Sequence, residues 1–286
     1  MATLPTISFE IFPAKTSRGD AALDKALEQL ATLNPAFLSV TYGADGSGQE
    51  RTLRLVERLI AQNMPLAAHL TCVGATREEV DALACTWRDM GIRRIVALRG
   101  DMPGGARWQP HDGGYQRASE LVGGLRRIAD FDIAVAAYPE SHPDSPSPRA
   151  DIDNLKAKQD AGAATAITQY CFDTDAILRF RDRAAAAGIT IPIVPGIMPI
   201  VNFASIVNFS ARCGAGIPDW LAGQFEGLED DPETTAMVAA SVASEQCRTL
   251  IDEGFDSFHF YTLNKAPLSY AVCRYLGINP SVAEAA

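Results

Sequence analysis

Two acidic residues stand at positions where a carboxylate could do chemistry. Glu10 lies inside an apolar run, Ile7–Phe12, that ends at a proline. Burial there would raise the pKa of the carboxyl group and suit it to act as a general acid near neutral pH. Asp101 follows Arg99 and Gly100 directly after another apolar run, so its environment would be different. Two such carboxylates can divide the roles of proton donor and charge stabiliser.

Both acidic residues also have a plainer interpretation. Glu10 could be a structural glutamate paired with an arginine, and the Arg99–Asp101 segment could be a surface turn with a local ion pair. Gly100 fits both interpretations of that turn, because glycine allows either a sharp bend or the close approach of a ligand. The sequence leaves these alternatives open.

Polar residues also stand at the ends of other apolar runs. They are Thr41, His69, Tyr138, Gln169 and Tyr261. Further along, Asp151, Asn154 and Lys158 are spaced i, i+3 and i+7, so they share one face of a predicted helix. That face could belong to a binding site, or it could be an ordinary solvated face.

Other kinds of site find little support. The four histidines lie far apart and show no H-x-H or H-E-x-x-H spacing, so no metal site is expected. His259 lies among aromatic residues and is interpreted as a core residue or one that supports the site from behind. No lysine lies inside a predicted strand, which argues against Schiff-base chemistry. Residues 43–48 are rich in glycine but lack a Walker or G-x-G-x-x-G pattern.

Composition narrows the class of protein. Hydrophobic residues make up 47% of the 286 residues and charged residues 21%, which is enough apolar content for a full core. The net charge of −10 argues against a general binder of nucleic acid or of anionic membranes. The six cysteines form no C-x-x-C pair and no signal peptide is evident, so a cytoplasmic protein with reduced thiols is expected. We also expect a homo-oligomer, of a size that composition does not indicate.

Strands and helices are predicted to alternate along the whole chain. Apolar runs predict strands over residues 7–12, 37–41, 66–70, 93–98, 133–137, 165–169, 191–194 and 258–261. Helical spacing follows each run, and Thr76 with Glu79 indicates a capping box. Eight strand–helix units favour an α/β fold, a single (β/α)8 TIM barrel over residues 1–286. The polar residues named above would lie at the carboxyl ends of its strands, where such barrels place their active sites.

Seven segments carry a resemblance to a known family. They are residues 8–13 (SFEIFP), 39–44 (SVTYGA), 69–72 (HLTC), 97–101 (ALRGD), 137–140 (AYPE), 167–169 (ITQ) and 258–264 (FHFYTLN). Together they resemble the bacterial catalytic-domain type of methylenetetrahydrofolate reductase, from about residue 6 to residue 279. The resemblance implies a barrel with bound FAD that reduces 5,10-methylenetetrahydrofolate to 5-methyltetrahydrofolate. NADH or NADPH would supply the electrons, and the reaction would serve one-carbon metabolism and methionine biosynthesis.

The resemblance also implies roles for the two acidic residues. Glu10 would protonate N10 of the folate, which opens the five-membered ring to a 5-iminium cation. Hydride would then pass from flavin N5 to the methylene carbon, while the charge of Asp101 stabilises the cation and tunes the flavin. Both substrates would use one flavin face in turn, so ping-pong kinetics are expected.

The binding residues that the resemblance implies form two sets. FAD would contact Thr41, Tyr42, Ala44, His69, Arg99, Gly100, Asp101, Ala118, Tyr138, His142, Asp151, Asn154 and Lys158. The folate or the nicotinamide nucleotide would contact Glu10, Asp101, Gln169, Ser205, Phe209, Tyr261 and Lys265. Ser205 and Lys265 depart from the family pattern, in which glutamine and arginine are usual at these positions. These departures keep open an alternative, a related flavoenzyme that mainly oxidises 5-methyltetrahydrofolate with another electron acceptor.

Overall fold

Strands and helices alternate along the chain, which confirms the predicted α/β class. The structure, a computed structural model, describes residues 4–42, 46–102 and 108–281. Its strands are β1 Thr6–Ile11, β2 Phe37–Val40, β3 Leu66–Thr71, β4 Arg94–Leu98, β5 Asp132–Ala137, β6 Thr165–Thr168, β7 Ile193–Val194, β8 Gly196–Ile197 and β9 Ser257–Tyr261. Its helices are α1 Ser17–Ala31, α2 Gly46–Ala61, α3 Arg77–Asp89, α4 Ala118–Ile128, α5 Pro148–Asp160, α6 Thr174–Ala186, α7 Phe203–Cys213, α8 Asp219–Phe225, α9 Pro232–Asp252 and α10 Ala266–Tyr275. Within these residues, no helix is both long and apolar enough to cross a membrane.

The strands form one parallel sheet that curls into a nearly closed barrel. The strand order is β7-β6-β5-β4-β3-β2-β1-β9-β8. The two ends of the sheet, β7 and β8, are separated in sequence by Pro195 alone. Because β7 pairs with β6 and β8 pairs with β9, this short segment joins both edges of the sheet. The predicted TIM-barrel architecture is therefore confirmed.

The seventh predicted strand, residues 191–194, differs from the structure. In the structure, this part of the sheet consists of two short strands, β7 and β8, on either side of Pro195. The described chain therefore has nine strands rather than eight. Proline has no backbone N–H to donate to a neighbouring strand, which explains the break. The carbonyl of Pro195 still accepts a hydrogen bond from the backbone N–H of His259, at 3.0 Å.

Alternation along each strand decides which side chains face the inside of the barrel. In β1, Ile7, Phe9 and Ile11 belong to the main core, so Ser8 and Glu10 point to the opposite, inner side. A small apolar layer fills the barrel below the site, with side chains from Ala67, Val96, Ala134 and Ile167. Two residues further along from each of these four positions, the same inward face carries His69, Leu98, Ala136 and Gln169.

The helix boundaries follow local capping rules. Thr76 and Glu79 form the predicted capping box, with hydrogen bonds of 3.2 Å and 2.8 Å between side chain and backbone. Helix α5 begins at Pro148, because Ser147 caps it and proline is tolerated in the first turn. Residues 202–254 hold three helices, α7, α8 and α9.

We predict that Gly196→Ala destabilises the barrel where it closes. A Cβ atom at this position would lie 2.2 Å from the carbonyl oxygen of Thr168 and 2.5 Å from the ring of Tyr261. Overpacking of this kind should lower the free energy of unfolding by about 1–3 kcal/mol, as measured by urea denaturation. Gly223→Ala on α8 is the matched control, because nothing lies within 4 Å of its Cβ position. Equal losses of stability in the two variants would contradict the prediction.

Candidate active site

Two adjoining cavities open at the carboxyl ends of the strands. The inner cavity, of about 480 Å³, is lined by residues that include Glu10, His69, Gln169, Tyr170, Phe209 and Tyr261. The outer cavity, of about 650 Å³, is lined by residues that include Arg99, Trp108, His142, Asp144, Asp151 and Lys158. Both cavities share Leu98, Gly100, Asp101, Ala136 and Tyr138. One ligand, or two ligands in contact, could therefore span this shared wall.

Glu10 holds its carboxyl group in a largely buried setting at the end of β1. Its side chain is 24% exposed, and its Oε2 lies 3.7 Å from Nε2 of His69. Burial raises the pKa of Glu10 from 4.5 to about 8 and lowers the pKa of His69 to about 4. Both groups are therefore neutral at pH 7 and do not form an ion pair. Among the described residues no arginine pairs with Glu10, which contradicts the purely structural interpretation of this glutamate.

His259 supports the site from behind, as the sequence indicates. It is 1% exposed, and its Nδ1 and Nε2 lie 2.7 Å and 3.3 Å from the hydroxyl groups of Ser8 and Ser39. Its ring stacks on Phe37 and meets Tyr261 edge-on. Burial lowers the pKa of His259 to about 3, so it is a neutral hydrogen-bonding group. Within the described part of the chain, no group of three histidine, cysteine or acidic side chains is placed to hold a metal ion.

Aromatic rings form one wall of the inner cavity. Tyr170 stacks on Phe209, with ring centroids 6.0 Å apart and planes 13° apart, and it meets Tyr261 edge-on at 6.2 Å. The hydroxyl of Tyr261 donates to the carbonyl of Thr168 at 2.8 Å, which ties β9 to the end of β6. Gln169 has its side-chain oxygen fixed by the backbone N–H of Tyr170, at 3.0 Å. A wall of this kind suits a flat aromatic ring.

The Arg99–Asp101 turn joins the two cavities. Gly100 has a φ of +83°, and a Cβ atom there would lie 2.6 Å from Cγ1 of Val73, so the turn requires glycine. Arg99 donates a hydrogen bond to Asp144 at 2.7 Å but lies 3.8 Å from Asp101. The main partner of Arg99 is thus a residue from another loop. Asp101, within the turn, is a more distant ion-pair partner of Arg99 than Asp144.

Asp101 and Glu10 have the unlike environments that the sequence predicts. The side chain of Asp101 is 92% exposed, whereas that of Glu10 is 24% exposed. Both residues line the inner cavity. The enclosed acid, Glu10, is suited to hold a proton near neutral pH.

The predicted helix face of Asp151, Asn154 and Lys158 lines the outer cavity. Lys158 is 5% exposed and donates to the carbonyl of Ala136 at 2.9 Å. Asp151 is 9% exposed and accepts a hydrogen bond from the hydroxyl of Ser141 at 2.9 Å. Burial lowers the pKa of Lys158 to about 8, and Asp151 opposes that shift. This face therefore holds a fixed, buried cation and is not an ordinary solvated surface.

Helix α4 begins beside the outer cavity. Its first residue, Ala118, lines the cavity together with Arg117, whose side chain makes no capping hydrogen bond. The first N–H groups of a helix lack partners within the helix and attract anions. With Arg99 and Lys158, they give the outer cavity the donors that a phosphate or diphosphate group needs.

The remaining predicted cofactor residues lie around the shared wall. Tyr138 packs edge-on against His142, with ring centroids 4.7 Å apart. Burial, and then the nearby Arg99, lower the pKa of His142. Thr41 and Tyr42 line the inner cavity, where burial raises the pKa of Tyr42 to about 12. Loops after β2, β4, β5 and β6 thus all contribute to the inner cavity.

Ser205 and Lys265 are not brought into either cavity. Ser205 is exposed on α7, and Lys265 is exposed at the start of α10. Neither is among the residues that line the two cavities. Ala44, also predicted to contact the cofactor, lies outside the described residues. The roles of these three residues remain predictions.

Sequence reasoning does not single out several residues that line the cavities. One of them, Tyr170, directly follows Gln169. Another, Cys213, lies four residues after Phe209 on α7, so helical spacing could have indicated Cys213. Trp108 and Asp144 come from irregular loops, where no periodic pattern points to them.

The family profile and the similar proteins of known name all belong to one family. The sequence profile described as "Methylenetetrahydrofolate reductase" matches residues 2–277. The chain is 46% identical over 280 residues to the "5,10-methylenetetrahydrofolate reductase" of Pectobacterium carotovorum subsp. carotovorum, covering 97% of this chain and 92% of the relative. It is 46% identical over 277 residues to the Escherichia coli K12 protein of that name, covering 96% and 92%. An Arabidopsis thaliana relative, "Methylenetetrahydrofolate reductase (NADH) 1", is 36% identical, with 95% of this chain and 48% of the relative covered.

Solved structures of low sequence identity share the fold. A Clostridium thermocellum protein that binds two copies of 5-methyl-5,6,7,8-tetrahydrofolic acid superposes with a TM-score of 0.65 at 15% identity, covering 97% of this chain and 96% of that one. The dihydropteroate synthase of Xanthomonas albilineans superposes with a TM-score of 0.52 at 16% identity, covering 97% and 94%. At these identities the likeness supports the barrel architecture alone.

The family profile covers almost the whole chain, and the bacterial relatives match over more than nine-tenths of their own length. These matches confirm the resemblance carried by the seven sequence segments. The chain therefore belongs to the methylenetetrahydrofolate reductase family and is an oxidoreductase.

Proposed function

We propose that this protein uses FAD and NADH or NADPH to reduce 5,10-methylenetetrahydrofolate to 5-methyltetrahydrofolate. The observation that carries the proposal is the enclosed acid Glu10, whose pKa is raised to about 8. A carboxyl group that stays protonated at neutral pH can give a proton to a substrate nitrogen. The substrate named for the relatives has such a nitrogen next to the carbon that is reduced.

The outer cavity fits the charge and size of a dinucleotide. Arg99 and the buried Lys158 can neutralise a diphosphate, and the start of α4 adds backbone N–H donors. A volume of about 650 Å³ falls in the usual range for small-molecule sites. We propose that FAD is held here by the residues that the family resemblance implies. When bound, it supplies the hydride-transfer chemistry of the reaction.

In the proposed mechanism, Glu10 donates its proton to N10 of the folate. Cleavage of the bond between N10 and the methylene carbon then leaves a cation on the substrate. Asp101 lies on the shared wall and would stabilise that cation as a carboxylate. His69 stays neutral because its pKa is lowered to about 4, so it does not take the proton from Glu10.

The inner cavity would receive both substrates in turn. The wall of Tyr170, Phe209 and Tyr261 is flat and aromatic, which suits the pterin of a folate and the nicotinamide of NADH or NADPH. The cavity, of about 480 Å³, has room for the reacting part of one substrate at a time. Ping-pong kinetics follow from that sharing.

A second candidate is the same chemistry run mainly in reverse. Ser205 and Lys265 are exposed and lie outside both cavities, although the resemblance implies substrate contacts at their positions. Replacement of arginine by lysine also removes a bidentate contact to carboxylate or phosphate. A weak nicotinamide site would leave 5-methyltetrahydrofolate as the electron donor to another acceptor.

The visible spectrum of the purified protein separates these candidates. We expect the absorption of a bound flavin, bleached under anaerobic conditions by NADH or by NADPH. Bleaching by 5-methyltetrahydrofolate but by neither nucleotide would favour the reverse reaction. Absence of flavin after incubation with FAD would contradict the proposal as a whole.

We predict that Glu10→Gln separates the two half-reactions. The amide has no acidic proton to donate, so folate reduction should fall by roughly 10²- to 10⁴-fold. FAD binding and nucleotide oxidation should be retained, since Glu10 is not needed for either step. Glu50→Gln is the matched control, because the side chain of Glu50 is 73% exposed on α2. Normal folate turnover in the Glu10→Gln variant would disprove the role of Glu10.

The pKa of Glu10 also predicts a pH dependence. Its pKa in the folded protein is raised to about 8, so the proton is present below that pH and is lost above it. The rate of the folate half-reaction should therefore be steady below pH 7 and fall about tenfold per pH unit well above pH 8. Rapid-mixing measurements of both half-reactions would test this, and nucleotide oxidation should not show the same decline. A folate rate that rises through pH 8 would rule out Glu10 as the acid.

A further inference from the structure

We propose that Trp108 stacks on the adenine of FAD and lets the outer cavity prefer FAD over FMN. This inference rests on the proposed use of a flavin. It concerns a loop residue that lies seven positions after Asp101, outside the sequence segments that carry the family resemblance.

The indole of Trp108 is held in place by a charged partner. The guanidinium carbon of Arg99 lies 4.8 Å from the centre of the ring. Arg99 is fixed in turn by its 2.7 Å hydrogen bond to Asp144 and by a 3.3 Å bond to the carbonyl of Gly100. Trp108 is only partly buried and still lines the outer cavity. Its ring is therefore positioned before any ligand binds.

The positions of the cavities set the direction of the cofactor. Hydride transfer requires the flavin ring to meet the folate, so this ring must lie at the wall shared with the inner cavity, beside Asp101 and Tyr138. The rest of the cofactor must then extend into the outer cavity. Trp108, Pro110 and Pro146 line that cavity and not the inner one. The indole thus lies on the side that receives the part of the cofactor remote from the flavin ring.

The chemistry of the ring identifies the group it would contact. Arg99 and Lys158 provide positive charge for the diphosphate, whereas an indole provides a large π surface. Adenine is a flat, uncharged aromatic base that gains free energy by stacking on such a surface. FMN ends at its phosphate and lacks this base. Loss of the indole should therefore weaken the binding of FAD and leave that of FMN nearly unchanged.

Trp108 can be observed separately from the other two tryptophans. Trp87 is a fully buried residue of α3, and Trp220 is 54% exposed on α8. Neither lines the inner or the outer cavity. A ligand-dependent change in tryptophan emission that disappears in Trp108→Phe and persists in Trp220→Phe would therefore report on Trp108.

The test uses the full chain freed of flavin, in four forms: wild type, Trp108→Leu, Trp108→Phe and Trp220→Phe. Flavin fluorescence and ultrafiltration give the dissociation constants of FAD and FMN. We expect Trp108→Leu to weaken FAD binding roughly tenfold and FMN binding less than about twofold, while the ring in Trp108→Phe restores most of the affinity. Tryptophan emission is followed during titration with ADP, because ADP contains no flavin to which energy could be transferred. Wild type and Trp220→Phe should respond to ADP, and Trp108→Phe should not.

The outcomes separate this inference from the proposed function. If wild type binds FAD but Trp108→Leu binds it equally well, the role of Trp108 is overturned and the flavin proposal stands. Equal losses of FAD and FMN affinity would also overturn it, because Trp108 would then act only by holding Arg99. Emission that does not respond to ADP in wild type has the same consequence. If wild type binds no FAD at all, both the proposed function and this inference fail.

Discussion

The two-residue alternation of β1 is the constraint on which the rest of the site depends. Phe9 and Ile11 must point outward to fill the core beneath the helices, so Glu10 between them must point into the barrel. There it is enclosed by protein, and its pKa rises to about 8. A shift of β1 by one residue in register would turn its core side chains into the barrel and turn Glu10 away from the site. Core packing and the proton donor therefore depend on the same strand register, which pairs Glu10 with Tyr261.

The separation of charge between the two cavities preserves this arrangement. Arg99 and Lys158 line the outer cavity and not the inner one. A cation close to Glu10 would favour its carboxylate form and lower its pKa, so it would no longer hold a proton at neutral pH. Glu10 instead has His69 at 3.7 Å, and burial keeps that imidazole neutral. The cations of the outer cavity, which also contains Asp101, Asp144 and Asp151, therefore do not line the cavity that holds the protonated acid.

The closure of the barrel fixes the opposite wall of the site. The segment around Pro195 has to pair with β6 on one side and with β9 on the other. Gly196 allows this close approach, because the carbonyl of Thr168 and the ring of Tyr261 occupy the space of a Cβ atom. The hydrogen bond from Tyr261 to Thr168 then spans the same junction. The aromatic wall is therefore a consequence of how the last edges of the sheet meet.

Features that repeat over short distances can be predicted from the order of the residues alone. Alternating apolar residues predicted the barrel, the strand ends predicted most of the polar residues that meet there, and helical spacing predicted the face of Asp151 and Lys158. Only the tertiary structure decided how the loops meet, because their contacts depend on packing between distant segments and not on local periodicity. It brought Asp144 to Arg99 and split the seventh strand at Pro195. It also left Ser205 and Lys265 exposed and outside the linings of both cavities.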